Sequence, residues 1–225
     1  DGLERAITSD WNVEWKMEWY RRELRKAGAD IWFGSLCCGV LREGNRVTGV
    51  VVATPDGRGV VLAKAVIDAT GNADVAAAAG APCVVINADD IAVQGTGMPP
   101  REPGAHYTNT DYTMTDDSDV VDAWRTLVAA RRKYKTAFDL AQIIDSRERR
   151  RIVGDYRLDW LDIINRRTFP DSIVYGCSDY DSHGYQIHPF FTLGQVPPKT
   201  RFWAYVPYRC LLPKNLDGML VVGLG

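Results

Sequence analysis

The sequence predicts a mixed α/β fold, and three patterns along its 225 residues support this class. Apolar residues recur at helical spacing over residues 10–26, β-branched runs separated by turns follow over residues 38–62, and a short apolar run at residues 65–69 enters a Thr-Gly turn. A helix, a meander and a buried strand that leads into another helix are the elements of an α/β domain. With 46% hydrophobic residues, the chain can bury a real core.

The first predicted helix begins at a cap at Asp10 and ends near Lys26, before Gly28. Its apolar side is formed by Val13, Met17, Tyr20 and Leu24. Tryptophans also recur along this helix, at Trp11, Trp15 and Trp19. We expect this aromatic stripe to pack in a core or between domains rather than to bind a ligand.

A strand and an antiparallel meander are predicted after the helix. The predicted strands cover residues 31–33, 38–41, 47–54 and 60–62. The turns between the strands of the meander lie at residues 43–46 and 55–57, where glycine, asparagine, aspartate and proline are concentrated. Residues 31–33 are predicted as a separate strand ahead of the meander.

A short buried strand, residues 65–69, follows the meander and leads into an alanine-rich helix, residues 74–79, which Gly80 closes. Between them lies Ala69-Thr70-Gly71. Such a turn lets the backbone approach a phosphate or a ribose closely, because alanine and glycine carry no bulk. The N-terminus of the following helix is expected to add a positive field. The alternative interpretation is an ordinary strand-to-helix turn.

The rest of the chain is less regular. Residues 81–118 are rich in glycine, proline, asparagine and aspartate, which predicts loops with short strands. The predicted elements beyond them are a helix from Asp116 or Ser118 to Tyr134, a helix over residues 138–144, and strands and loops after Ser172. Residues 218–225 are typical of a buried strand that opens into a glycine turn.

Composition and charge favour a small molecule as the partner. A net charge of -2 argues against nucleic acid, and no apolar run approaches the roughly 20 residues that cross a bilayer. The first residues lack a secretory signal. Five scattered cysteines without a CxxC spacing fit a reducing cytoplasm, and the three histidines show no metal-ligand spacing. We expect a cytoplasmic protein without a metal, and a homo-oligomer stays open.

Residues 63–76 resemble the glutathione-reductase type of FAD domain, a Rossmann-like domain in which the meander crosses over and the Ala-Thr-Gly strand returns beneath the cofactor. The resemblance implies FAD as the cofactor. The cofactor-binding residues that it implies are Cys37, Ala69, Thr70, Gly71, Gly223, Leu224 and Gly225. Cys37 would contact the adenine through its backbone, while its side chain is expected to be a small buried hydrophobe. The final glycines would lie near the flavin phosphates and ring.

Five further segments extend the resemblance through the second half of the chain. They are Asn109-Thr110-Asp111-Tyr112, residues 145–155, residues 169–173, Asp181-Ser182-His183-Gly184 and residues 206–213. In this order they look like the bacterial family of FAD-dependent oxidoreductases, distantly related to fumarate reductase and succinate dehydrogenase flavoproteins. The resemblance implies hydride transfer between the flavin and an unidentified small organic substrate. It implies a partial FAD-binding domain over residues 1–82, a substrate or cap-like domain over residues 83–205, and a return strand over residues 206–225.

Two parts of the family pattern are absent from this sequence. Family members begin with a Gly-x-Gly-x-x-Gly turn after a first strand, and they continue beyond the final glycines into a helix that completes the flavin site. The internal pair Gly95 and Gly97 runs into Pro99-Pro100, so it cannot open a helix onto a pyrophosphate. We therefore expect a central fragment. The alternative function is a non-catalytic module that does not hold FAD by itself, and an NAD-linked dehydrogenase would require a complete dinucleotide turn.

The candidate catalytic residues are His183, Tyr208 and Arg209. Hydride transfer needs a group that moves the matching proton, which suits histidine or tyrosine, and often a cation that holds a substrate carboxylate, which suits arginine. His183 is favoured over His188 because it lies in a polar turn beside a glycine. The arginine cluster at residues 147–151 is more often a solvated or salt-bridged face.

Overall fold

The computed structural model describes residues 13–86, 97–98, 108–109, 119–133, 149–179 and 201–223. Helices α1 to α4 span Val13–Lys26, Asp74–Ala78, Val120–Lys133 and Trp160–Ile164. Strands β1 to β11 span Leu36–Glu43, Arg46–Thr54, Gly57–Leu62, Val66–Asp68, Cys83–Ile86, Gly97–Met98, Thr108–Asn109, Arg149–Ile152, Ser172–Asp179, Arg201–Pro207 and Met219–Val221. A 3₁₀ helix, Tyr208–Leu211, follows β10. The mixture of helices and strands confirms the predicted α/β class.

The predicted meander is confirmed. Strands β1, β2 and β3 form one antiparallel sheet in that order, with Leu36 opposite Ala53 and Gly49 opposite Leu62. The β-branched residues of β2 pair on both sides, so this strand is the centre of the sheet. The sheet therefore supplies a rigid platform beside the shorter strands that follow.

Strand β4 pairs in parallel with β11, so that Val66 lies opposite Met219 and Asp68 opposite Val221. The turn before β11 passes close to β2: a Cβ on Gly218, which has φ +73°, would lie 2.7 Å from the carbonyl oxygen of Val47. Glycine is required there by this close approach as well as by its backbone conformation. Both predicted strands, residues 65–69 and the one that begins after Gly218, are confirmed.

The buried core lies between these strands and α2. It consists of Val47, Ala73, Val75, Ala76, Ala79, Ala81, Leu216, Met219 and Val221. Small alanines let α2 approach β1 and β4 closely, and the larger residues of β2 and β11 fill the other side. The predicted alanine-rich helix is confirmed, and Gly80, with φ +81°, follows its end.

Helix α1 ends as predicted, because Gly28 adopts φ +76° directly after its last turn. Its apolar side is not a core within the described residues, since Trp15, Met17, Tyr20 and Leu24 are all exposed. Trp15 therefore does not lie in a core within the described residues, while packing of the aromatic stripe between domains stays a prediction. Asp10 and Trp11 lie outside the described residues. No helix in this part of the chain is long and apolar enough to cross a membrane.

The strand predicted at residues 31–33 is wrong. These residues form an irregular segment and a turn, with Trp32 and Phe33 exposed, and β1 begins only at Leu36. Among the described strands none pairs with this segment, and β-branched or aromatic residues form a strand only where a neighbour completes the hydrogen bonds. Gly34, with φ +66°, turns the chain into β1 instead.

Beyond α2 the described strands form three further antiparallel pairs, β5 with β8, β6 with β7 and β9 with β10, and α4 packs against β10. Strand β8 and helix α4 are elements that sequence patterns did not predict. The predicted helix of this part of the chain is α3, but its start at Asp116 or Ser118 is wrong. The helix begins at Val120, and Asp119 caps it, because its Oδ1 accepts a hydrogen bond from the Val121 amide at 2.8 Å. Residues 138–144 lie outside the described residues.

Candidate functional site

The carboxyl ends of β4 and β11 lie side by side and form the edge at which the chain turns away from both strands. The backbone amide of Val222 donates to the carbonyl oxygen of Asp68 at 2.9 Å, which extends the pairing by one residue. The Ala69-Thr70-Gly71 turn leaves one strand at this edge, and Gly223 leaves the other. In open parallel sheets, ligands bind outside the carboxyl ends of the strands. We call this place the strand-end edge.

The two glycines of the strand-end edge present open backbone. Gly71 has φ +78° and Gly223 has φ +84°, and a Cβ added to either residue would meet no atom of the described residues within 4 Å. Among the described residues, the backbone amide of Gly71 has no hydrogen-bond acceptor. A ligand can therefore approach this backbone closely and accept a hydrogen bond from it.

A buried carboxylate fixes the shape of the turn from inside. Asp68 is 1% exposed, and its Oδ1 accepts hydrogen bonds from the Thr70 amide at 3.0 Å and the Thr70 hydroxyl at 2.7 Å. Its Oδ2 accepts a hydrogen bond from the Ala76 amide at 2.9 Å. The Thr70 Oγ1 in turn accepts a hydrogen bond from the Asp74 amide at 2.9 Å. A buried charge is tolerated here because several donors satisfy it.

These bonds correct one expectation about the helix after the turn. The first-turn amides of α2 at Asp74 and Ala76 are already satisfied by Thr70 and Asp68, and the helix is only five residues long. The N-terminus of α2 therefore does not present these amides to a phosphate. Sequence patterns gave Asp68 no role, although an acidic residue at the end of a buried apolar strand is a signal that could have indicated one.

Asn72 joins the turn to strand β8. Its Oδ1 accepts a hydrogen bond from the Arg150 amide at 2.8 Å, and its Nδ2 donates to the Asp74 Oδ1 at 3.0 Å. The Arg150 guanidinium closes the group through an ion pair of 3.1 Å with the same Asp74 oxygen. Arg150 belongs to the arginine cluster, for which the sequence predicted a solvated or salt-bridged face. The structure shows Arg150 in a salt bridge.

Cys37 lies near the start of β1, opposite Val52, where a bulge separates it from Gly39. Its side chain packs against the buried core and lies 3.5 Å from the Gly39 carbonyl oxygen. The sequence predicted a small buried hydrophobe here, but the side chain is only partly buried. Elsewhere, burial raises the pKa of the Cys83 and Cys210 thiols, which keeps both protonated and unreactive at neutral pH.

Arg209 and Tyr208 lie in the 3₁₀ helix after β10. The Arg209 guanidinium stacks over the rings of Tyr156 and Phe169, with its central carbon 5.1 and 5.7 Å from their centroids. Its Nε lies 3.4 Å from the Asp171 Oδ2, within ion-pair distance but without hydrogen-bond geometry. Tyr208 anchors its backbone amide on the Asp171 carbonyl oxygen at 2.8 Å and leaves its side chain exposed.

A second buried carboxylate organises the other side of the same aromatic pair. Asp162 accepts hydrogen bonds from the Tyr156 hydroxyl at 2.8 Å and from Arg167 at 3.1 Å, and it forms a reciprocal capping box with Asp159. Burial alone would raise the pKa of the Asp162 carboxyl, but the hydrogen bonds from Tyr156, from the Asp159 amide and from Arg167 together lower it.

The same contact acts in the opposite direction on its partner. The hydrogen bond to the Asp162 carboxylate, with burial as a second cause, raises the pKa of the Tyr156 hydroxyl. The Arg167 guanidinium lies over the Tyr156 and Phe169 rings at 5.8 and 5.2 Å, so two arginines flank one aromatic pair. Sequence reasoning missed this cluster, although the Asp-x-x-Asp spacing before an apolar run was a capping signal.

Backbone hydrogen bonds connect residues 153–155, next to this cluster, to residues 212–214, which precede β11. The amide of Asp155 donates to the Leu212 carbonyl oxygen at 2.9 Å, and the amide of Lys214 donates to the Val153 carbonyl oxygen at 3.0 Å. Gly154 lies between these bonded residues, where a Cβ would be 3.1 Å from the Tyr156 carbonyl oxygen. These hydrogen bonds therefore hold the segment between Arg209 and β11 against residues 153–155.

The family model described as FAD dependent oxidoreductase matches residues 12–144 and 119–224. The chain belongs to this family. The two matches cover nearly all of the sequence and include every described element, so the resemblance inferred from Ala69-Thr70-Gly71 and the later segments is confirmed. A search of curated proteins finds no match for the chain.

In this FAD-dependent oxidoreductase, the structure brings together four of the seven residues predicted to bind the cofactor. Ala69, Thr70, Gly71 and Gly223 share the strand-end edge. Cys37 lies on β1, which packs against α2. Leu224, Gly225 and His183 lie outside the described residues. Of the three catalytic candidates, Tyr208 and Arg209 are adjacent in the 3₁₀ helix.

Proposed function

We propose that this FAD-dependent oxidoreductase holds the nucleotide part of FAD at the strand-end edge and transfers a hydride between the flavin and a small organic substrate. The observation that carries the proposal is the pair of open glycine backbones, Gly71 and Gly223, at the carboxyl ends of adjacent parallel strands. Bulky side chains at these positions would keep a ribose or a phosphate away from the backbone. At both residues that space holds no atom of the described part of the chain.

The chain's own residues fit the nucleotide in three ways. The Gly71 amide offers a donor to an anionic or hydroxyl oxygen, because no acceptor among the described residues uses it. Asp68 holds the turn in one shape, so little ordering is required when a ligand binds. The Cys37 backbone, with its side chain directed into the core, is the proposed contact for the adenine. When bound, the flavin supplies the acceptor or donor for the hydride.

The proposed catalytic groups are His183, Tyr208 and Arg209. Tyr208 has an exposed hydroxyl-bearing side chain, which suits proton transfer to or from a substrate. Arg209 faces Asp171 and two aromatic rings, which supports a role in holding the 3₁₀ helix that presents Tyr208. Its guanidinium is partly exposed, so an anchoring contact with a substrate carboxylate is also proposed.

Titration of FAD into the 225-residue chain tests the cofactor site, with flavin fluorescence as the readout. Gly71→Ala places a methyl group at the proposed contact, and Gly44→Ala is the matched control, because both glycines have positive φ and open surroundings. We expect Gly71→Ala to raise the dissociation constant at least about tenfold and Gly44→Ala to leave it within about twofold. Equal effects of the two variants would contradict the site. Failure of the unmodified chain to bind FAD would favour the module that does not hold FAD by itself.

A flavin-loaded protein tests the catalytic groups separately. Tyr208→Phe and His183→Ala are each expected to slow reduction of the bound flavin by a substrate about 100-fold without changing the flavin content. Loss of flavin in either variant would place that residue at the cofactor instead. Phe33→Leu serves as the control for handling and folding, because Phe33 is exposed and precedes β1 in the sequence.

A further inference from the structure

The turn of the strand-end edge contains two residues in the left-handed region of the backbone. Gly71 adopts φ +78° without a steric penalty, but Ala73 adopts φ +49° although it carries a Cβ and is fully buried. A residue with a Cβ disfavours this conformation, so it persists only where surrounding contacts hold it. Asn72 lies between these two residues, and its side chain is the one that reaches out of the turn.

Both ends of the Asn72 amide are used. The oxygen accepts from the backbone amide of Arg150, which is 78 residues away in the sequence, and the nitrogen donates to the Asp74 carboxylate. The first bond satisfies a partly buried backbone donor of β8, for which the described residues offer no other acceptor. The second holds the start of α2. One side chain therefore fastens both the turn and the helix after it to a strand of the second half of the chain.

The ion pair between Arg150 and Asp74 plays a smaller part. Their side chains are 35% and 52% exposed, and ion pairs at such exposure contribute little. The hydrogen bond to the Arg150 amide is 2.8 Å long and partly buried, so the backbone contact carries most of the constraint. Replacing the Arg150 side chain removes the ion pair but leaves the backbone amide bonded to Asn72 in place.

The geometry points to Asn72 as a positioning residue that sets the conformation of the Thr70-Gly71 turn by tying it to β8. Its relevance to the cofactor rests on the proposed function. Without touching the nucleotide, Asn72 reduces the ordering that the turn needs when FAD binds. The proposed affinity for FAD therefore depends on the contact between the turn and β8.

Amide hydrogen exchange on the full chain without FAD tests the tie directly. The amides of Asp74 and Ala76, whose acceptors lie in the turn, report whether the turn opens. We expect Asn72→Ala to speed their exchange about tenfold, because it removes the acceptor of a partly buried amide. Asn165→Ala, an exposed asparagine at the end of α4, is the matched control and should leave their exchange unchanged.

Exchanging the side chains of Asn72 and Asp74 distinguishes a positioning role of Asn72 from a general loss of stability. Asn72→Asp places two carboxylates next to each other, and the added substitution Asp74→Asn restores one donor and one acceptor across the pair. Because the carboxylate of Asn72→Asp still accepts from the Arg150 amide, this variant alone should speed exchange less than Asn72→Ala, and the double variant should recover slow exchange. Arg150→Ala should have a smaller effect than Asn72→Ala, and Arg150→Lys a smaller effect still, since lysine keeps the charge opposite Asp74.

The same variants are then titrated with FAD. Asn72→Ala should raise the dissociation constant about tenfold, and the double variant should bring it back to within about threefold of the unmodified chain. Unchanged amide exchange in Asn72→Ala overturns the tie, and faster exchange with an unchanged FAD affinity overturns the positioning role. If the unmodified chain binds no FAD, the proposed function fails, and exchange at Asp74 and Ala76 alone decides whether the tie exists.

Discussion

The carboxylate of Asp68 accepts a hydrogen bond from the backbone amide of Ala76 at 2.9 Å, across a turn that separates the two residues by eight positions. This contact joins the end of a strand to the first turn of a helix. Because its other oxygen accepts from both donors of Thr70, Asp68 fixes the start of the Ala-Thr-Gly segment, and Asn72 connects its far end to β8. A motif known for its small residues thus depends on an acidic residue in front of it.

Asp68→Asn is expected to lower the free energy of unfolding by about 2–3 kcal/mol. An amide can accept on one side only, so its NH₂ group would face the donor of either Thr70 or Ala76 and leave a buried amide without an acceptor. Urea unfolding followed by tryptophan fluorescence measures the change. Asp56→Asn, at an exposed turn of the meander, should change the free energy by less than about 0.5 kcal/mol. Equal stability of the two variants would contradict the role of Asp68.

Gly218→Ala is expected to destabilise the fold by at least about 2 kcal/mol more than Gly44→Ala. Both glycines have positive φ, so both variants pay for an alanine in the left-handed region, which costs roughly 1 kcal/mol. Only at Gly218 would the new methyl group also lie 2.7 Å from a backbone oxygen of β2. Thermal or urea unfolding of the two variants separates these contributions. Similar losses would show that β11 can move away from β2 at little cost.

Because the pKa of the Asp162 carboxyl is lowered in the folded protein, we expect the protein to lose stability in acid. Its folded pKa is lower than its unfolded value of about 4, so its contribution is complete above about pH 4 and is lost as the pH falls through the folded value. Asp162→Asn should flatten the dependence of the unfolding free energy on pH below about pH 4. At pH 7 it should cost about 2 kcal/mol through the weakened hydrogen bonds of Tyr156 and Arg167. A variant with the same acid dependence as the unmodified chain would contradict the prediction.

A double-mutant cycle measures the pair formed by Arg209 and Asp171. The side chains are 42% and 34% exposed, so the coupling free energy between Arg209→Ala and Asp171→Ala should be only about 0.5 kcal/mol. Arg209→Ala alone should cost more, about 1–2 kcal/mol, because it also removes the stacking on Tyr156 and Phe169. A coupling as large as the single effect would show that the ion pair, rather than the stacking, holds the 3₁₀ helix.

The meander, strand β4, helix α2 and strand β11 could be predicted from sequence because their information is local. Turn residues at 43–46 and 55–57 define the hairpins, and an apolar run that enters a Thr-Gly turn defines β4. The family could be predicted for a different reason: several short segments in a fixed order are far more specific than any one of them.

Other features depend on partners that no local pattern reveals. Residues 31–33 have strand composition but pair with no strand in the part of the chain that the structure describes. The Asn72 contact joins residues 78 positions apart, and the cluster around Tyr156 gathers cations and carboxylates from segments that are equally typical of a solvated surface. Such contacts arise from tertiary packing, and sequence spacing carries no trace of them.

The parallel pairing of β4 with β11 also has a consequence for how the protein is made. These strands are separated by roughly 150 residues, so their contact is among the least local in the chain, and forming it requires a large loop to close. During synthesis, Asp68 and its turn leave the ribosome long before Met219 does. The strand-end edge is therefore expected to be completed late, after the meander has formed from its own hairpins.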